Sequence, residues 1–181
     1  TEHLIWDLLS KGTIDKKSSF HSPTLGTSKN NKTYLRTIIL RKVKKDKRMM
    51  LFYSDNRSKK FSDISDNNHV TVHIYDVKKN IQIQCYGKAL IKKNNKQTKL
   101  IWNNLSDHSK KIYMSATAPG KKINHMNNNI KLLDKESSFI NFGLIQVIIN
   151  KIEYLQLKRG NNIRAIFNYV GNECNIKLLI P

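Results

Sequence analysis

Apolar positions along the chain change their period several times, and each change marks an element. Leu4, Ile5, Leu8 and Leu9 recur at helical spacing, which predicts a short amphipathic helix over Glu2–Lys11. Lys16–Asn31 is rich in Ser, Thr and Lys around a small apolar island at Thr24–Thr27. Two strands are predicted next, Thr33–Leu40 and Arg48–Ser54, joined by a charged, solvated turn over Lys42–Lys47. Asp55–Ser65 reads as helix, with Asp55 or Ser58 able to cap it and Phe61 and Ile64 on one face. His69–Tyr75 alternates Val70, Val72 and Ile74 with Thr71, His73 and Tyr75, a strand with two dressed faces. Beyond a turn at Asp76–Asn80, Ile81–Lys92 alternates again. Gln97–Met114 predicts a helix and Ala116–Asn129 a long polar loop. Gly143–Gln156, Asn162–Tyr169 and Asn175–Ile180 predict three more strands.

Strand follows strand without crossover helices. The expected fold is therefore mainly β, a mostly antiparallel sheet of six to seven strands that curls into a barrel flanked by short helices. A length of 181 residues suits a single domain over 1–181.

Charge changes the picture next. Lys and Arg number 33 against 13 Asp and Glu, a net charge of +20 that favours anionic partners without choosing among them. Most of the excess is Lys, accompanied by abundant Asn, so compositional bias and a selected nucleic-acid surface are both open explanations. Cys85 and Cys174 lack any ligand spacing, and His69 and His73 on one strand face lie roughly 13 Å apart at about 3.3 Å per residue. No metal site is expected. No stretch of about 18 apolar residues occurs, and the first residues lack the plan of a signal peptide, so no membrane partner and a cytoplasmic setting are expected.

The densest chemistry lies in Arg36–Arg41 and Tyr53–Lys60. In an extended strand Arg36 and Arg41 point to opposite faces of an apolar middle. Tyr53–Ser54 then ends a strand and runs into a helix start bearing Arg57, Ser58, Lys59 and Lys60. Free N–H groups at a helix start, hydroxyls and cations together suit a phosphate; a solvated basic turn is the plainer alternative. Gln82, inside an apolar strand, carries an amide that can read a donor–acceptor edge or simply face solvent.

RTIILR, then LFYSDNRSKKFSDI, then IQIQCYGKAL, in that order, resembles the pyridoxamine 5'-phosphate oxidase family and its relatives of the FMN-binding split barrel. The closing run IEYLQL, IRAIFNY and NIKLLIP is similar to the family's last segments, so the resemblance spans about Phe20 to Pro181. It implies an FMN cofactor. Arg36 and Lys60 would hold the phosphate, helped by Ser54, Arg57, Ser58 and Lys59 beside Tyr53. The backbone at Thr37, Ile38 and Ile39 would run along the isoalloxazine, Gln82 would bond its pyrimidine edge, and Arg41 would stand near flavin and substrate. A homodimer is implied, since two chains form the family's site.

On the substrate side, Tyr113 matches the family's Tyr, but its Arg and Ser fall at Thr117 and Lys121. Its two C-terminal Arg fall at Asn162 and Ile166 and its Trp at Leu155, with Arg164 a local substitute. Arg41, Tyr113, Lys121 and Arg164 are the candidate substrate residues, and pyridoxamine 5'-phosphate itself is not the expected substrate. The implied function is a flavin-dependent oxidoreductase of unassigned substrate. A non-catalytic flavin-binding or flavin-sensing module needs the same residues. A basic nucleic-acid-binding barrel is disfavoured, because aromatics make up only 8% and are not interleaved with the basic clusters.

Overall fold

The computed structural model describes residues 2–123 and 130–181. One antiparallel sheet of nine strands forms the body: β1 Thr24–Lys29, β2 Lys32–Thr37, β3 Leu40–Lys44, β4 Met49–Asp55, β5 His69–Asp76, β6 Ile81–Lys93, β7 Phe142–Gln156, β8 Ile163–Val170 and β9 Glu173–Leu179. Their order is β2-β1-β5-β6-β7-β4-β3. The 15-residue β7 pairs with β4 along its first half and with β8 along its second, so β8 and β9 extend from the sheet's middle. Among the described residues four α-helices accompany it, α1 Glu2–Gly12, α2 Lys59–Asp66, α3 Lys96–Asn103 and α4 Asp107–Lys111, with a 3-10 turn at Ser137–Asn141.

The core is the inner face of this curled sheet. Leu25, Val72, Cys85, Ile152 and Phe167 form one cross-strand row, every member buried. Helix α1 covers the end of the core with Ile5, Trp6 and Leu9, and its Trp6 indole N–H donates to the Tyr169 hydroxyl at 3.2 Å. Opposite Gly87 the β7 strand bulges, with Asn150 as its extra residue, and a Cβ at Gly87 would lie 2.2 Å from the Ile148 carbonyl oxygen.

The sheet is not closed. Strands β2 and β3 end the order on opposite sides, yet the chain passes straight from one to the other through Ile38 and Ile39. Here the single strand expected over Thr33–Leu40 breaks. The Ile38 N–H donates to the Pro23 carbonyl and the Leu40 N–H to the His21 carbonyl, bonds that pull the backbone out of both ladders. This break, together with β1, which the sequence shows only as an apolar island, raises the strand count from the expected six or seven to nine. Strand β3 also runs to Lys44, shortening the expected charged turn.

Two helical expectations also shift. Gln97–Met114 is two helices, because Asn104 caps the end of α3 and the Ser106 hydroxyl accepts from the Ser109 N–H to start α4. Asp55–Ser58 is a turn preceding α2, since the Asp55 carboxylate accepts from the Arg57 backbone N–H at 2.9 Å. Of the expected loop Ala116–Asn129, the stretch 124–129 lies outside the described residues.

Candidate functional site

Helix α2 spans the mouth of the split, and its placement follows from a missing side chain. Gly143, paired with Ser54 across β4 and β7, leaves room for the Phe61 ring, which a Cβ there would approach to 2.3 Å. That contact brings the start of α2 beside the end of β4. The Lys60 ammonium then donates to the Ser54 hydroxyl at 2.9 Å and the Ser58 hydroxyl at 3.0 Å. From the facing edge, Arg36 of β2 reaches in. It pairs with Leu25 across β1–β2, so it lies on the core face of the sheet's edge.

This corner is rich in cations and poor in anions to match them. Asp63, one helical turn into α2 and fully buried, binds Arg36 Nη2 at 3.1 Å and the Lys59 ammonium at 2.7 Å. Lys59 also lies over the Tyr34 ring, 3.6 Å from its centroid. Among the described residues Lys60 pairs with no carboxylate. Burial and the neighbouring Arg36 charge lower its pKa below that of an ordinary lysine. Helix α2 has no side-chain cap and no acidic residue in its first turn, where Lys59 and Lys60 oppose the helix dipole. Uncapped N–H groups, two hydroxyls and a half-buried ammonium without a carboxylate partner form a cradle of donors suited to an anion. The donor set fits the phosphate of FMN.

Arg57 is turned elsewhere. Its guanidinium grips Asp55, with Nε at 3.0 Å from Oδ1 and Nη2 at 2.7 Å from Oδ2. It donates as well to the carbonyls of Ser115 and Ala116 at 2.9 Å and 3.1 Å, fastening that loop to the α2 start. The hydrogen-bonded Asp55 raises the Arg57 pKa.

A second group adjoins the cradle. Arg41 lies over the Tyr53 ring at 5.8 Å, and Tyr53 packs edge-on against Phe142. Tyr113 packs against Phe142 and Trp102 and is only 2% exposed, so burial pushes its phenol pKa up while Arg41 opposes the shift. Thr37 is exposed at the end of β2, Ile38 is buried, and Ile39 is half-buried in the break.

Gln82 is not with these residues. Ile81 and Ile83 face the core, so Gln82 faces outward, where it shares a cavity of about 170 Å3 with Glu153, Leu155 and Arg164. Arg164 lies 3.7 Å from Glu153, which also binds Lys151 at 3.0 Å. Lys121 and Thr117 are exposed on the loop. The structure thus joins Arg36, Ser54, Ser58, Lys59 and Lys60 in one cluster and Arg41, Tyr53 and Tyr113 in another. Gln82 with Arg164, and Lys121, stand apart within one chain. Sequence reading missed Asp63, Thr27 and Tyr34. Of these, only Asp63 leaves a sequence signal, four residues after Lys59 on one helix face.

Residues 4–93 match the family model described as pyridoxamine 5'-phosphate oxidase, FMN-binding domain. Among solved structures, the fold is similar to a pyridoxamine 5'-phosphate oxidase-related, FMN-binding protein from Nostoc punctiforme, with a TM-score of 0.80 and 19% identity over 99% of this chain and 96% of that one. It is also similar to PhzG from Burkholderia lata, solved with tetrahydrophenazine-1-carboxylic acid, at a TM-score of 0.76 and 13% identity over 99% and 91%. General Stress Protein 26 from Bacillus anthracis aligns at a TM-score of 0.53 and 18% identity over 88% and 98%. No curated protein is significantly similar in sequence. No helix among the described residues is long and apolar enough to cross a membrane.

Proposed function

The chain is a pyridoxamine 5'-phosphate oxidase-like FMN-binding split barrel, and from that premise we propose a flavin-dependent oxidoreductase acting on a small molecule. FMN supplies two-electron redox chemistry when bound. The chain supplies the rest. Arg36 and Lys60, with Ser54, Ser58 and Lys59, hold the phosphate, and the break at Thr37–Ile39 offers backbone to the ring. Arg41 over Tyr53 forms the cationic and aromatic wall that a substrate meets, backed by the buried Tyr113, with Lys121 on the loop beyond. Gln82 and Arg164, on the outer face, reach a ring only from a second copy of the chain, so the working unit is a homodimer.

One observation carries this reading: the half-buried Lys60 ammonium, without a carboxylate partner among the described residues, beside Arg36 and an uncapped helix start. An unpaired cation in such a place costs stability unless an anion neutralises it. The absorbance spectrum of the purified protein tests the reading, along with the flavin released on denaturation and the mass in solution. A yellow dimer releasing FMN, and bleached anaerobically by a reduced substrate, is the expected result. A colourless protein that takes up no added FMN overturns the reading, and a loaded protein that no reductant bleaches overturns the oxidoreductase part.

A further inference from the structure

The buried carboxylate beneath the cradle has a job that the phosphate contacts do not explain. Asp63 comes from α2, is 0% exposed, and faces three groups from three elements. Its Oδ2 accepts from the Thr27 hydroxyl of β1 at 3.0 Å and from Arg36 Nη2 of β2 at 3.1 Å, while Oδ1 accepts from the Lys59 ammonium at 2.7 Å. The Thr27 hydroxyl in turn accepts from Arg36 Nη1 at 2.6 Å, and the Leu25 carbonyl accepts from the same nitrogen at 3.4 Å. Arg36 is therefore held along one edge by a carboxylate, a hydroxyl and a carbonyl. A guanidinium has five N–H donors. Three bonds go to Asp63, Thr27 and Leu25, and the remaining donors have no partner among the described residues, which leaves them for a ligand.

We infer that Asp63 is a positioning residue for the cofactor phosphate, orienting Arg36 and Lys59 from two elements and limiting the cradle's charge to that of a phosphate monoester dianion. This rests on the FMN reading. An unrestrained Arg loses side-chain freedom when it binds, and a pre-oriented one loses less. Arg36, Lys59 and Lys60 against Asp63 leave an excess of two positive charges, Arg57 being matched by Asp55. A phosphate monoester carries about −1.5 to −2 at pH 7. Burial alone would raise the Asp63 pKa, but bonds from Lys59 and Thr27 and the charges of Lys59 and Arg36 outweigh it, so the carboxylate stays ionised.

The test compares FMN with riboflavin, which lacks only the phosphate, by fluorescence titration of the flavin-free protein. In Asp63→Asn, which keeps the volume and an acceptor for Thr27, FMN affinity is expected to fall about tenfold. Riboflavin affinity should hold within about twofold, and the thermal midpoint of the flavin-free protein should stay within a few degrees. Thr27→Val, nearly isosteric, removes only the bridging hydroxyl and should weaken FMN about threefold with riboflavin unchanged. FMN bound equally or more tightly by both variants overturns the inference. So does equal weakening of FMN and riboflavin, which is what a purely structural carboxylate gives. Failure of the unsubstituted protein to bind FMN overturns the underlying reading instead.

Discussion

Two charged clusters sit on opposite faces of the same sheet, built from the same residue types. At the split, Arg36 and Lys59 share the buried Asp63, and Lys60 beside them binds only the Ser54 and Ser58 hydroxyls, so positive charge is left over. On the outer face, Lys151 and Arg164 share Glu153 beside Gln82, and every group is partly open to solvent. The outer cluster nearly balances its own charge. Glu153 has its pKa lowered chiefly by the bond from Lys151, the signature of a pair already satisfied. At the split, Lys60 has its pKa lowered by burial and by Arg36, the signature of a cation still lacking a partner. Basic residues are plentiful in this chain, so their number locates nothing. Unmatched charge under partial burial does.

The largest expected effect follows from removing that unmatched charge. Arg36→Ala with Lys60→Ala deletes two charge-assisted contacts of about 1.5–3 kcal/mol each, so FMN affinity should fall at least about 100-fold. Riboflavin affinity should barely move. If both flavins weaken alike, the cradle is not where the phosphate lies, and the contrast between the clusters collapses.

Alkaline pH should weaken FMN next. Lys60 has a folded pKa lowered from 10.5, and a bound dianion favours its charged form. Affinity should be steady above the phosphate's own pKa of about 6 and should decline as pH rises through the lysine's lowered value. Lys60→Arg, whose guanidinium stays charged, should abolish that decline. The flavin-free protein should behave in the opposite sense. Its unfolded chain holds the Lys60 proton more tightly, so this group makes stability rise with pH between the lowered value and 10.5. A decline retained in the arginine variant assigns the titration to another group.

Arg57 separates position in sequence from position in space. It stands among the cradle residues in the chain, but its side chain holds Asp55 and the carbonyls of Ser115 and Ala116. Arg57→Ala leaves a buried carboxylate unpaired at a cost of about 1–3 kcal/mol, lowering the thermal midpoint by about 2–4 °C per kcal/mol. FMN affinity should change less than about threefold. A tenfold loss of FMN with no loss of stability would return Arg57 to the phosphate.

Much of this was legible in the chain, and the rest was hidden for physical reasons. The alternation over His69–Tyr75 and Ile81–Lys92 announces β5 and β6, because a strand with one buried face must alternate. The break at Ile38–Ile39 leaves no mark in an unbroken apolar run, since it is made by carbonyls of Pro23 and His21 that arrive from elsewhere in the fold. RSKK marks a basic helix start, and α2 does begin at Lys59, though Arg57 turns away to Asp55. Asp63 looks like a solvated helical acid until the β1–β2 hairpin sets Thr27 and Arg36 against it. Gln82 illustrates the limit in another way: period-2 alternation puts it on the outer face, and only the assembled sheet shows that Arg36 occupies the other.

Arg164 gives the smallest expected effect and the sharpest check of the contrast. Its partner Glu153 keeps Lys151 at 3.0 Å if Arg164 is removed, so no carboxylate is stranded. The Arg164–Glu153 pair is 3.7 Å apart and open to solvent, worth at most about 1 kcal/mol. Arg164→Ala should therefore shift the thermal midpoint by no more than about 2–4 °C. In the proposed homodimer Arg164 acts at the ring or substrate, where FMN and riboflavin are the same molecule. Both flavins should thus weaken by the same factor, no more than about threefold, leaving their affinity ratio unchanged. A ratio that falls in Arg164→Ala as it does in Arg36→Ala would place this outer arginine at the phosphate and erase the distinction between the two faces.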